Sequence, residues 1–141
     1  VSSTTHLISR LNKIKVSSSS EFNCRKVTAK FIARARKGFT NGQSPQLAED
    51  GTSGAYFLSD GSGTVGVFKP IDEEAFAPNN PRNMKGPFGS ETCRPGVKSG
   101  EATLREVAAY MLDHSGFSGV PATGLVEISH PSLSYNPICE S

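Results

Sequence analysis

Five prolines, Pro70, Pro78, Pro81, Pro87 and Pro95, fall between residues 70 and 99 and exclude any continuous helix or central strand from that stretch. Regular structure must therefore be built from the two flanks. A loop of this length inside a domain is usually functional or disordered.

The amino-terminal flank carries a hairpin signal. Ala55-Tyr56-Phe57-Leu58 and Thr64-Val65-Gly66-Val67-Phe68-Lys69 are both β-prone, and Ser59-Asp60-Gly61-Ser62-Gly63 between them supplies an Asp-Gly turn. Gly51-Thr52-Ser53-Gly54 stands directly before the first strand. Further upstream, Val27, Phe31, Ile32 and Ala35 recur at helical spacing and predict a helix over 26–38, with Gly38 as its stop. Beyond the prolines, Leu104, Val107, Ala108 and Met111 predict a second helix at roughly 101–114. Glu101 favours its first turn and Gly116 ends it. Gly124-Leu125-Val126-Glu127-Ile128 predicts a last strand. The order helix, hairpin, long loop, helix, strand makes an α+β fold with an antiparallel sheet. Residues 1–26, with the unbroken run Ser17 to Ser20, read as a disordered or linker tail, and 131–141 as an irregular tail. The lobe between them is expected at 27–130.

Several function classes drop out. A formal net charge of +2 is too small to argue for nucleic acid. No run of about 18 apolar residues exists to span a membrane, and no secretory signal opens the chain. Cys24, Cys93 and Cys139 are too far apart for a metal motif or a disulfide framework, which fits a reducing, cytoplasmic setting. His114 and His130 share no ligand spacing with any cysteine or with each other and read as structural or exposed.

The residues with chemistry are the Gly-rich segment and the lysine after the second strand. Backbone N–H groups of a glycine-rich turn approach a polyphosphate closely because no Cβ intervenes, and Thr52 and Ser53 add hydroxyls. Lys69, across one hairpin turn, would bring a fixed positive charge to the same phosphates. A lysine in that role needs a carboxylate from a neighbouring helix, for which Glu106 is placed mid-helix and Glu101, in the first turn, is the other candidate. Each feature also has an ordinary reading: a plain hairpin loop, a solvated strand-end lysine, and a capping box in which Thr103 and Glu106 satisfy a helix end. Asp72-Glu73-Glu74 reads as a solvated acidic run or as the lining of a site near the lysine.

Longer runs carry a resemblance. Leu47-Ala48-Glu49-Asp50-Gly51-Thr52-Ser53-Gly54-Ala55-Tyr56-Phe57-Leu58 resembles the phosphate-binding loop of plant phosphatidylinositol 4-kinases of the gamma type. Val65-Gly66-Val67-Phe68-Lys69-Pro70 with Asp72-Glu73-Glu74 is similar to that family's lysine strand and acidic stretch. Asn79-Asn80-Pro81-Arg82, Gly96-Val97-Lys98-Ser99-Gly100-Glu101, Arg105-Glu106-Val107-Ala108-Ala109-Tyr110 and Gly119-Val120-Pro121-Ala122-Thr123 resemble the segments that follow. The likeness covers roughly 27–130.

The resemblance implies a kinase-like amino-terminal lobe. It would bind ATP through Gly51, Thr52, Ser53, Gly54, Ala55 and Lys69, with Glu106 as the helix carboxylate. Glu74, Ala75 and Phe76 fall where related enzymes approach the lipid headgroup. The implied reaction passes the γ-phosphoryl group of ATP to the 4-hydroxyl of phosphatidylinositol with Mg2+ or Mn2+. Protein substrates, or an inactive nucleotide-binding module, are the alternatives. The implied location is cytoplasmic or peripheral to a membrane. No catalytic or metal-binding Asp can be assigned within the chain. Those residues are expected in a carboxy-terminal lobe after Ser141, so the chain is read as an incomplete catalytic domain without turnover of its own.

Overall fold

A computed structural model describes residues 13–16 and 26–133. The elements in chain order are β1 (Lys13–Val16), α1 (Lys26–Thr40), β2 (Gln46–Leu47), β3 (Tyr56–Ser59), β4 (Thr64–Phe68), α2 (Ala102–Leu112) and β5 (Val126–Ser129). Short 3-10 turns lie at Ile71–Glu73 and His114–Gly116. The strands form a three-stranded sheet in the order β2-β3-β4 and a two-stranded sheet of β1 with β5. The α+β class and the antiparallel hairpin expected from the sequence are present. As its prolines require, the chain between β4 and α2 holds only the first 3-10 turn and one isolated bridge, Glu91 to Lys98.

The chain divides into two compact units. The first comprises residues 13–16, 26–46, 57–66 and 122–133 and has an apolar interior. Ala35, Phe39, Leu58, Val65, Ile128 and Leu133 are buried in it. Helix α1 buries Thr28, Ala35 and Phe39, with Ile32 half-buried, a stripe at the spacing one helix face demands. The predicted stripe was rotated from this one, since Val27 and Phe31 are exposed. The Phe39 ring meets the His130 ring at a centroid distance of 5.1 Å. Burial holds His130 below the ordinary histidine range, and its Nδ1 accepts the Ser132 N–H at 3.1 Å. At the hairpin turn Arg34 donates from Nε to Asp60 Oδ2 at 2.8 Å. The Ser62 hydroxyl and N–H both donate to Asp60 Oδ1. These bonds, with Arg34, hold the Asp60 carboxyl well below the usual carboxylate range.

Two expectations for this unit are corrected. Residues 13–16, placed in a linker tail, form β1, which pairs antiparallel with β5 from Lys13 opposite Ser129 to Val16 opposite Val126. Lys26, at the end of that tail, opens α1, and residues 1–12, 17–25 and 134–141 lie outside the described residues. Gly38 does not stop α1, which continues to Thr40 and ends at Asn41-Gly42, where Gly42 takes the left-handed conformation at φ 79°. Gly38 is glycine for a different reason: a Cβ there would stand 1.8 Å from the Ser59 carbonyl oxygen.

The second unit comprises residues 47–56 and 67–121 and has a polar interior. Tyr56, Pro70 and Ala77 are buried in it, beside buried Glu73, Glu74, Asn79, Asn80, Ser99 and Asp113. Its helix α2 is shorter than expected. It ends at Leu112, because Asp113 leaves helical geometry and its carboxylate accepts the N–H groups of Ser118 at 2.7 Å and Val120 at 2.9 Å. No residue of α2 is buried, and Leu104 and Leu112 are exposed. No helix among the described residues is long and apolar enough to cross a membrane.

Gly38→Ala tests that contact. Because Gly38 lies inside the helix, propensity alone would make the replacement stabilising by about 1 kcal/mol. The contact with Ser59 instead predicts destabilisation by about 1–3 kcal/mol, measured by urea unfolding.

Candidate functional site

The Gly-rich segment lies in the loop that joins β2 to β3. It is closed at its base by Ala48 N–H donating to the Ala55 carbonyl at 2.8 Å. Hairpin topology returns the end of β4 to the level of the start of β3, so this loop and Lys69 stand at one end of the sheet.

The loop is anchored from below by the segment that follows Lys69. Gly54 N–H donates to the Glu73 carbonyl at 2.9 Å. The Ser53 hydroxyl oxygen accepts the Ala75 N–H at 3.1 Å. Asn80, with no exposed surface, donates from Nδ2 to the carbonyls of Thr52 at 2.8 Å, Glu74 at 3.0 Å and Glu73 at 3.2 Å. Its Oδ1 accepts the N–H groups of Arg82 at 2.8 Å and Met84 at 3.1 Å. Arg82 also donates from its guanidinium to the Ala48 carbonyl. The N–H groups of Gly51, Thr52 and Ser53 donate to no protein acceptor among the described residues. Three successive free donors on a partly exposed loop are suited to an anion.

Glu73 is 2% exposed, and the Tyr56 hydroxyl donates to its Oε2 at 2.8 Å. Burial pushes the Glu73 carboxyl above the ordinary glutamate range, against the lowering effect of the Tyr56 bond. Burial and the neighbouring acid likewise push the Tyr56 hydroxyl up. A Cβ at Gly54 would stand 2.0 Å from Glu73 Oε2. That glycine is therefore required by a protein side chain, whatever else approaches the loop.

Lys69 Nζ donates to Glu106 Oε1 at 2.6 Å. The capping-box alternative for Glu106 does not hold. Thr103 is the second helical residue, not the cap, and Glu106 reaches the lysine one turn further along. Glu101 occupies the cap position, where its carboxylate accepts the Lys98 N–H at 3.2 Å and pairs with Arg105 at 3.3 Å, which hold it below the ordinary range. Both partners of the Lys69–Glu106 pair are about half exposed (46% and 47%), so the pair contributes only about 0–1 kcal/mol to stability.

The segment 74–76 adjoins the loop through the Ala75–Ser53 bond. Glu74 is buried, and Phe76 adopts the left-handed conformation at φ 63°, rare for an aromatic residue. The acidic run is thus not solvated at Glu73 and Glu74. Sequence reasoning missed Tyr56, Glu73 and Asn80 as structural groups. The available signal was a set of acids and amides packed into a Pro-rich loop with few apolar residues to fill its interior. Cys93 is exposed and free. Among the described residues no three His, Cys, Asp or Glu side chains are grouped as metal ligands.

Comparison with known proteins bears out the family resemblance. A phosphatidylinositol 4-kinase gamma 4 of Arabidopsis thaliana is 43% identical over 123 residues, covering 77% of this chain and 22% of the relative. A phosphatidylinositol 4-kinase gamma 4 of Oryza sativa subsp. japonica is 44% identical over 113 residues, covering 72% and 20%. The Arabidopsis phosphatidylinositol 4-kinase gamma 6 is 43% identical over 113 residues, covering 79% and 18%. The chain thus spans about a fifth of the length of these relatives. No protein-family model matches it, and no solved structure does.

The raised Glu73 carboxyl has a pH signature. A folded value above the unfolded one gives stability that is complete below the unfolded value of 4.5 and is lost as pH rises through the folded value. Glu73→Gln keeps an acceptor for Tyr56 and removes the titration. The expected result is a urea midpoint that falls with rising pH above 4.5 in the wild type and a flatter profile in the variant. Equal slopes would contradict this.

Proposed function

We propose that this chain, homologous over most of its length to plant phosphatidylinositol 4-kinase gamma proteins, is the ATP-holding part of a kinase that phosphorylates the 4-hydroxyl of phosphatidylinositol. The observation that carries the reading is the 2.6 Å Lys69–Glu106 pair, which joins a strand-end lysine to a helix carboxylate. Kinases hold the nucleotide phosphates with a lysine fixed in this way. The free N–H groups of Gly51, Thr52 and Ser53 support the same reading, because they can receive phosphate oxygens at the same end of the sheet.

Phosphoryl transfer asks the protein chiefly for positioning and for charge placed where it develops. In this reading the loop donors and Gly54-Ala55 cradle the phosphates. Lys69 neutralises them as a point charge, and Glu106 keeps the lysine extended toward them. The headgroup would lie along Ala75 and Phe76, beside the loop to which Ala75 is bonded. Glu74, expected with them, is withdrawn from it because its buried carboxylate is taken up by the N–H groups of Gly100, Ala102 and Thr103. A divalent cation, Mg2+ or Mn2+, would neutralise phosphate charge when bound, with its protein ligands outside the described residues. No group that would position the acceptor hydroxyl is assigned among the described residues.

The test is a phosphatidylinositol kinase assay with radioactive ATP on the full-length gene product. Lys69→Ala should reduce lipid labelling by about a hundredfold or more, as loss of one charge-stabilising donor does elsewhere. Labelled protein without labelled lipid would move the acceptor to protein. No labelled product of either kind from the wild type would overturn the enzymatic reading.

A further inference from the structure

The start of α2 lacks a cap of its own. Glu101, at the cap position, makes no side-chain bond to the helix N–H groups, and the first turn contains no acidic residue. The free N–H groups are met instead by a carboxylate from another part of the chain. Glu74 Oε2 accepts from Gly100 at 2.7 Å and from Ala102 at 3.2 Å, and Oε1 accepts from Thr103 at 2.8 Å. The Glu74 residue is 6% exposed, so these bonds are shielded from water. A carboxylate at a helix start is favoured both by the bonds and by the helix dipole.

Glu74 lies five residues after Lys69, and Glu106 lies three residues after Thr103. The same two stretches of chain, 69–74 and 100–106, are therefore joined twice: once by the buried Glu74 bonds and once by the half-exposed Lys69–Glu106 pair. The exposed pair is too weak to fix a helix by itself. The three charge-assisted bonds of Glu74 are individually stronger and, being buried, are little screened by salt.

We propose that Glu74 is a positioning residue for nucleotide binding: it docks the start of α2 on the strand-exit segment and so sets Glu106 within reach of Lys69. The proposal rests on the reading of Lys69 as the phosphate-holding lysine. In this reading Glu74 acts away from the nucleotide, since its buried carboxylate is taken up by the start of α2. It acts by raising the fraction of molecules in which the lysine is already held, and apparent affinity scales with that fraction. Asn80 fixes the backbone from which Glu74 projects, through its bond to the Glu74 carbonyl.

The experiment is a double-mutant cycle on MgATP affinity in the full-length gene product, with amide hydrogen exchange on the same samples. Glu74→Ala should speed exchange at Gly100, Ala102 and Thr103 and weaken MgATP binding by about tenfold, the order of a lost cap passed through the competent fraction. In a Glu106→Ala background the same change should weaken binding by no more than about twofold, because its route through Glu106 is gone. Glu74→Gln, which keeps one acceptor oxygen, should fall between wild type and Glu74→Ala, and it serves as the reporter if Glu74→Ala does not fold. Equal losses with and without Glu106 would make Glu74 a general structural residue and overturn the proposal. So would unchanged affinity in a wild-type protein that binds MgATP. A wild type that binds no MgATP would overturn the nucleotide reading, and this proposal with it.

Discussion

The amide of Asn80 is the interaction on which the Pro-rich half of this protein depends. Its Nδ2 donates to three carbonyls and its Oδ1 accepts two N–H groups, joining Thr52 of the Gly-rich loop to the 73–74 segment and to the chain at 82–84. Prolines deny this stretch a ladder of regular hydrogen bonds, so a side chain must supply the partners that backbone groups need once buried. Each such bond contributes about 0.5–1.5 kcal/mol net, and each buried group left unpaired costs about 1–3 kcal/mol. A unit built this way is specified by a few polar side chains, and losing one strands several partners together.

The contrast between the two units follows from the same constraint. Around α1 the interior is apolar and its residues follow helix and strand periods, with Ala35, Phe39, Leu58, Val65 and Ile128 buried. Around the Pro-rich loop the interior is Glu73, Glu74, Asn80 and Tyr56, each satisfied by a named partner. The hydrophobic effect shapes the first and hydrogen-bond satisfaction the second. It is the second unit that carries Lys69, Glu106 and the loop, so the candidate site stands on a polar framework.

What could be read from the residues alone divides along this line. The hairpin of β3 and β4 and the existence of both helices were legible, because turn chemistry and periodicity are local. The partnership of Lys69 with Glu106 was legible as chemistry, since a lysine after a strand and a carboxylate on a helix suit one another. Gly38 was misread because a glycine at a helix end and a glycine beneath a close carbonyl look alike in sequence. β1 was invisible because its partner lies more than a hundred residues away and its surroundings are rich in serine. The burial of Glu73 and Glu74 was not legible because it depends on distant partners, the Tyr56 hydroxyl and the open start of α2.

The claim that this framework holds a nucleotide is tested most directly by amide hydrogen exchange on the full-length gene product with and without saturating MgATP. The account predicts slowed exchange at Gly51, Thr52 and Ser53, whose N–H groups have no protein acceptor among the described residues. Amides already bonded within the framework, such as Gly54 and Met84, should change far less. Protection confined to other segments, or none at all in a protein that binds MgATP, would contradict it.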